Sequence, residues 1–187
     1  KATIEKILSD LFDSDNLSWN IICLRYFNPI GAHCSGLIGE DPRNYPNNLF
    51  PFITQVAIGR QKILSIYGDD WETKDGSGIR DYIHIIDLAE GHLASIDYLN
   101  TSESCLEFIN LGSGKGYSVF QIIRQFELST GCRIPFSIES RRDGDVAVSY
   151  ADISKAKRLL SWTPKRSLEQ ICLDGWNWQM KNPNGYG

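Results

Sequence analysis

Arg80 and Asp81 stand at the mouth of the run Gly78-Ile79-Arg80-Asp81-Tyr82-Ile83-His84-Ile85-Ile86-Asp87. Its β-branched and aromatic stretch, Tyr82 to Ile86, predicts a strand entered through a cation and an anion and left through Asp87. Arginine carries a planar charged fork that suits phosphate oxygens, so Arg80 is a candidate for holding a phosphorylated ligand at the strand's edge. Taken alone, a surface ion pair between Arg80 and Asp81 is the simpler reading. A second cluster, Arg141-Arg142-Asp143-Gly144-Asp145, sets two arginines and two aspartates around one glycine. Such a set can grip both the anionic and the hydroxyl groups of one ligand, although as a charged surface turn it would be unremarkable. A third is Asn47-Asn48-Leu49: Asn48 suits the N-cap of a helix over about Leu49 to Ile58. The free N–H groups of that helix start are a ready anion site, while capping alone is the simpler account of the two asparagines.

The elements that must position these clusters follow from periodicity. Ile4, Ile7, Leu8, Leu11 and Phe12 make the stripe of an amphipathic helix that needs a partner surface. After a polar turn from Asp13 to Asn16, the apolar run Asn20 to Arg25 reads as a strand buried on both faces of a parallel sheet. Tyr26 and Asn28 then fall at its carboxyl end, where open α/β sheets hold ligands. Residues 30–48 form a long structured loop, and Gly59 is placed to end the helix that follows. Ile63 to Tyr67 reads as a strand and Gly68 to Gly78 as a polar, hairpin-like excursion. Asp87 and Glu90 give the capping-box pattern of a helix to about Leu99.

Glu107 to Leu111 is another strand, followed by a tight turn at Gly112-Ser113-Gly114-Lys115-Gly116, which matches neither phosphate-loop nor dinucleotide glycine patterns. Ser118 with Gln121 opens a helix that Gly131 ends, and Ile134 to Ser140 reads as a half-buried strand. Asp152 is the expected cap of a short basic helix through Leu160, which Trp162-Thr163-Pro164 stops. Ser167 with Gln170 opens a last helix whose apolar face is Leu168, Ile171, Cys172, Gly175 and Trp178.

Composition narrows the chemistry. The 187 residues can bury a sizeable core, and 19 scattered Lys and Arg against 23 Asp and Glu argue against a nucleic-acid partner. No apolar run is long enough to span a bilayer, so no membrane partner is expected. Five widely spaced cysteines, Cys23, Cys34, Cys105, Cys132 and Cys172, fit reduced thiols and a cytoplasmic location. His33, His84 and His92 have no Cys or carboxylate at metal spacing, which leaves no metal site to expect. Residue 1 is a lysine already inside a helical pattern and the only methionine is Met180, so the sequence is expected to be a piece of a longer protein.

The order of the pieces carries more. Leu24-Arg25-Tyr26-Phe27-Asn28-Pro29, Ile38-Gly39-Glu40-Asp41-Pro42, Pro46-Asn47-Asn48-Leu49, Arg80-Asp81-Tyr82-Ile83-His84, Asn110-Leu111-Gly112 and Arg142-Asp143-Gly144-Asp145, with the closing Trp176, Trp178 and Asn182-Pro183, run the length of the chain. Together they resemble the UDP-glucose 4-epimerase family of extended short-chain dehydrogenase/reductases, over the later half of such an enzyme. The resemblance implies an α/β fold: the C-terminal portion of an NAD(P)-binding Rossmann-type fold plus the smaller α/β nucleotide-sugar-binding domain. Residues 1–27 would be the last part of the Rossmann domain and 28–187 mainly the substrate domain, with 81–112 contributing elements back to the Rossmann sheet.

The implied activity is that of an isomerase using NAD to interconvert UDP-galactose and UDP-glucose in galactose metabolism. Lys1 falls where the family's Tyr-x-x-x-Lys motif has its lysine, a catalytic and cofactor-binding position, and the motif's tyrosine and the glycine-rich loop are not in this sequence. The 187 residues alone are therefore expected to be inactive. Tyr26 and Pro29 would approach the nicotinamide and Asn28 the sugar, with Asn47, Asn48 and Leu49 near the diphosphate and ribose. Ser65 and Tyr67 would lie beside the uracil, Arg80 and Arg142 would pair with the diphosphate, and Asp145 would accept from the ribose. Ser149, at the position that gates hexose size, implies room for an N-acetyl group and turnover of UDP-N-acetylhexosamines. A homodimer is implied for the full-length protein. Two other readings stay open: a sister nucleotide-sugar decarboxylase or dehydratase, and a non-catalytic nucleotide-sugar-binding module.

Overall fold

The computed structural model describes residues 1–15, 19–43 and 46–186, so Asn16 at the end of the expected first turn lies outside the described residues. The chain is α/β, and its described residues form three small sheets bridged by helices. Helix α1 (Ala2–Ser14) forms on the predicted stripe, with Leu8, Leu11 and Phe12 half-buried and Ile4 and Ile7 exposed. Strand β1 (Asn20–Tyr26) pairs in parallel with β5 (Cys105–Leu111), from Asn20 opposite Cys105 to Tyr26 opposite Leu111. The expectation that β1 is buried on both faces is not met: Ile21 to Leu24 are partly covered, none is fully buried, and Asn20, Arg25 and Tyr26 are exposed. Among the described residues β5 is its only strand neighbour, and Arg25 turns outward to make a forked pair with Glu5 of α1.

The second sheet is organised on β4 (Ile79–His84). Strand β2 (Asn28–Ile30) runs parallel to its later half, β6 (Gly116–Ser118) antiparallel to its start, and β8 (Val148–Ser149) parallel to Ile79 and Arg80. The third sheet is β3 (Leu64–Tyr67) in parallel with β7 (Phe136–Glu139). Phe136 and Ile138 are exposed, so β7 is an edge strand and not the half-buried one its alternation suggested. The excursion Gly68 to Gly78 is a loop without strands of its own.

The period of β4 assigns each side chain a task. Tyr82 packs into one apolar cluster with Phe50, Ile53, Leu64, Ile122 and Phe126, while Ile83 packs into the other with Leu88, Ile109, Leu111 and Trp162. Asp81 shares the face of Ile83 and is fully buried. Its carboxylate accepts from the Ser113 amide (2.6 Å) and hydroxyl (2.6 Å), the Gly114 amide (3.0 Å) and the Ala151 amide (3.1 Å). The ion pair between Arg80 and Asp81, simplest on local grounds, is thus not formed, because adjacent strand residues point to opposite faces.

Two expected helix caps are not formed because their side chains are engaged by other partners. Strand β4 begins at Ile79, ahead of Tyr82, and α3 (Ile85–Thr101) begins ahead of Asp87. Its cap is the His84 imidazole, which accepts from the Ile86 amide at 3.0 Å. Asp87 and Glu90 do not form a capping box. Asp87 is buried against the Arg166 amide (3.0 Å) and guanidinium (2.5 Å), and Glu90 takes the other Arg166 nitrogen (2.9 Å) and Lys165 (2.7 Å). Asn48 precedes α2 (Leu49–Ala57) but makes no cap bond, its amide donating to Glu40 at 3.1 Å, and Gly59 adopts the left-handed conformation expected of it (φ +83°).

The Ser118 and Gln121 capping box of α4 (Val119–Thr130) is complete, and Gly131 ends that helix in the left-handed region. Asp152 accepts from Ser154 at 2.9 Å, yet Ile153 holds the cap position of α5 (Ser154–Leu160). Ser167 caps α6 (Leu168–Lys181) through the Gln170 amide at 3.2 Å.

Removing the Asp81 carboxylate would leave three amides without an acceptor, so Asp81→Ala is expected to cost about 3 kcal/mol in urea unfolding. His84 is buried with its second nitrogen 3.1 Å from Asp174, and burial holds its pKa below the ordinary 6.5, aided by Arg166 and opposed by Asp174 and Asp87. The unfolded chain therefore takes up this proton first: the contribution of His84 is intact above pH 6.5 and is lost as pH falls below it toward the folded pKa. Unfolding titrations should show that acid loss, and His84→Gln should flatten it.

Candidate nucleotide-binding cavity

A cavity of about 330 Å³ opens where the second and third sheets meet α2. It brings together Asn28 and Pro29 of β2, Asn47, Asn48 and Leu49 at the start of α2, and Ser65 and Tyr67 of β3. Arg80 of β4 and Arg142 and Asp145 of the arm before β8 complete the set, so ten of the thirteen residues singled out from sequence line one wall-to-wall space.

Its electrostatics are set by few groups. Asp145 lies between the two guanidiniums, 3.8 Å from Arg80 and 3.0 Å from Arg142. Arg142 also rests 4.8 Å over the Tyr67 ring, and Arg80 donates to the Ile79 carbonyl at 2.9 Å. Two cations share one carboxylate, which leaves an excess positive charge. Among the described residues no side chain caps α2, whose first residues line the same cavity, so the partial positive charge of the helix start adds to it. A ligand with two adjacent anionic groups would match that arrangement, and a ligand hydroxyl could be received by Asp145. Burial pushes the Tyr82 phenol up to about 12, so at neutral pH it is a neutral hydroxyl and not a base. Burial likewise raises the Cys172 thiol to about 12, leaving it in the core as an inert apolar group. Among the described residues no group of His, Cys, Asp and Glu is arranged to hold a metal ion.

Three of the named residues stand apart from the lining. The Lys1 ammonium lies 5.9 Å over the ring of Tyr26, and the two form a separate cluster at the carboxyl end of β1. Ser149 is the register partner of Arg80 across β8 and β4, beside it in the sheet, and is half-buried. Conversely, the cavity includes residues that sequence reasoning passed over, among them Phe27, Trp71, Tyr82 and Val119. Tyr82 was recoverable, since it lies two residues beyond Arg80 on the same strand face. Trp71 also had a signal: it is the single aromatic residue of the polar loop 68–78.

The family described as GDP-mannose 4,6 dehydratase matches residues 1–174. The UDP-glucose 4-epimerase of Bacillus subtilis is 50% identical over 186 residues, which cover 100% of this chain and 54% of that protein. A crystal structure of UDP-glucose 4-epimerase from Bifidobacterium longum in complex with NAD+ and UDP superimposes with a TM-score of 0.95 at 48% identity, covering 100% of this chain and 55% of that one. That from Stenotrophomonas maltophila, with bound NAD and formylated UDP-arabinopyranose, gives 0.93 at 46% identity, covering 97% and 53%. The chain spans about half the length of the curated relatives it matches. By both sequence and fold, the chain belongs to the GDP-mannose 4,6 dehydratase family, and within it the relatives it resembles are UDP-glucose 4-epimerases.

Proposed function

We propose that this chain is the nucleotide-sugar-holding part of an NAD-dependent UDP-glucose 4-epimerase, which interconverts UDP-galactose and UDP-glucose. The observation that supports it most is the cavity in which Arg80, Arg142 and the start of α2 converge around Asp145, in a chain half identical to such epimerases. In this reading the two guanidiniums and the helix start hold the diphosphate, Asp145 accepts from a ribose hydroxyl, and Asn47, Asn48 and Leu49 border both groups. Ser65 and Tyr67 flank the base, and Asn28 lies toward the sugar. Each cation alone is worth little in water, but together and partly desolvated they fix the nucleotide firmly. A firmly held nucleotide leaves the hexose free to present either face.

The cofactor fits what is present at the end of β1. A lysine ammonium over an aromatic ring, at the carboxyl end of a parallel strand, is a place where open α/β sheets hold dinucleotides. Lys1 would hold the cofactor ribose there, and Tyr26 and Pro29 would border the nicotinamide. NAD, when bound, supplies the chemistry of taking a hydride from the sugar C4 and returning it to the opposite face. We further propose that residues 1–27 complete a Rossmann-type domain, that 28–187 form mainly the substrate domain with 81–112 contributing back, and that the whole protein is a cytoplasmic homodimer. The family description points to a dehydratase as the second reading, and the half-identical relatives favour the epimerase.

Calorimetric titration of the chain with UDP at low salt tests the cavity. Binding is expected, with a loss of roughly tenfold or more in Arg80→Ala and in Arg142→Ala and a steep weakening with added salt. A folded chain that does not bind UDP would sink the reading. For the sugar end, the whole protein with Ser149 is expected to turn over UDP-N-acetylhexosamines as well as UDP-hexoses; turnover restricted to UDP-glucose and UDP-galactose would contradict the role given to Ser149.

A further inference from the structure

The loop between β3 and β4, residues 68–78, has one large apolar side chain, and that side chain does not enter the core. Trp71 lies on the wall of the cavity beside Tyr67. Its indole nitrogen donates to the Tyr67 carbonyl at 3.4 Å, and the Arg141 guanidinium covers the ring at 4.1 Å. Arg141 is itself fixed, its Nε donating to the Asp70 carboxylate at 2.7 Å and Nη2 to the Asp70 carbonyl. The fit is close: a Cβ on Gly68 would meet the indole nitrogen at 2.6 Å and Arg141 Cγ at 2.8 Å. The rest of the loop is braced, with the Trp71 amide donating to the Gly76 carbonyl at 2.9 Å and Asp75 accepting from the Ser77 amide at 3.0 Å and from the Ser118 hydroxyl.

Arg141 and Arg142 are therefore consecutive cations with different tasks. Arg142 rests on Tyr67 and lines the cavity, whereas Arg141 pairs with Asp70 and backs Trp71. A half-exposed tryptophan gains little from the core, so two separate contacts holding its ring at the cavity wall, from the Tyr67 carbonyl and the Arg141 guanidinium, argue for a ligand surface. We propose that Trp71 is a further binding residue of this cavity, an outer aromatic wall for the planar base of a nucleoside diphosphate, with Arg141 and Asp70 as the positioning residues that hold it. This inference rests on the nucleotide reading of the cavity and extends it to the base end.

The test separates the two ends of the ligand. UDP is titrated into the wild-type chain, Trp71→Ala, Trp71→Phe and Arg141→Ala, and inorganic pyrophosphate is measured by displacement of UDP, with thermal unfolding as the check on folding. Stacking on an aromatic wall is worth enough that Trp71→Ala should bind UDP roughly tenfold more weakly, while its affinity for pyrophosphate is unchanged. Trp71→Phe should keep most of the affinity, and Arg141→Ala should lose part of it, again for UDP alone. Unchanged UDP affinity in Trp71→Ala, or equal losses for UDP and pyrophosphate in a folded variant, would overturn the inference and leave the diphosphate site standing. A folded wild-type chain that binds neither probe would overturn the nucleotide reading and this inference with it.

Discussion

The buried carboxylate of Asp81 is the constraint on which the site depends. A charge out of water must be compensated, and here four donors from two distant segments do so: the turn at Ser113 and Gly114, and the amide of Ala151. The packing allows little else, since a Cβ on Gly112 would meet an Asp81 oxygen at 2.5 Å and the Ala151 Cβ at 2.6 Å. By drawing residue 151 to β4, the carboxylate sets β8 beside Ile79 and Arg80. The arm that leads into β8 carries Arg142 and Asp145, which are thereby returned to Arg80, their partner in the cavity. One strand thus uses one face to collect the chain and the other to present a cation.

The cavity's charged side chains hold one another in place. Asp145 keeps two guanidiniums within reach of each other, which would otherwise repel, and the Tyr67 ring supports one of them. Positioning of this kind lowers what binding must spend on ordering long side chains. At the far end of β4 a second buried network does similar work for the fold: His84 joins α6 through Asp174, and Arg166 ties α3 to the segment before α6 through Asp87 and Glu90. The two networks fix β4 at both ends, and with it the distance between the sheets that the cavity spans.

Local signals and tertiary ones were legible to different degrees. The Ser118 and Gln121 box, the left-handed Gly59 and Gly131 and the amphipathic stripes are local, and the sequence displays them. Asp87 with Glu90 has the same local pattern as a capping box, yet Arg166, far along the chain, takes both carboxylates. Nothing local distinguishes the two cases. The burial of Asp81 was hidden likewise, because its donors lie 32 to 70 residues away. Most of the cavity was legible because its charged and amide residues sit in a recognisable order, whereas Trp71 and Tyr82 line it through side-chain packing that no short motif records. The half-open state of β1 was unreadable from an apolar run, which shows what a strand can bury and not what covers it.

The most direct measurement is a crystal structure of the chain grown with UDP. The two phosphates are expected between Arg80 and Arg142 at the start of α2, with the ribose toward Asp145 and the base between Ser65, Tyr67 and Trp71. A nucleotide lodged outside the cavity, or one held in it by the base with its phosphates in open solvent and Asp145 still bridging both arginines, would contradict the account.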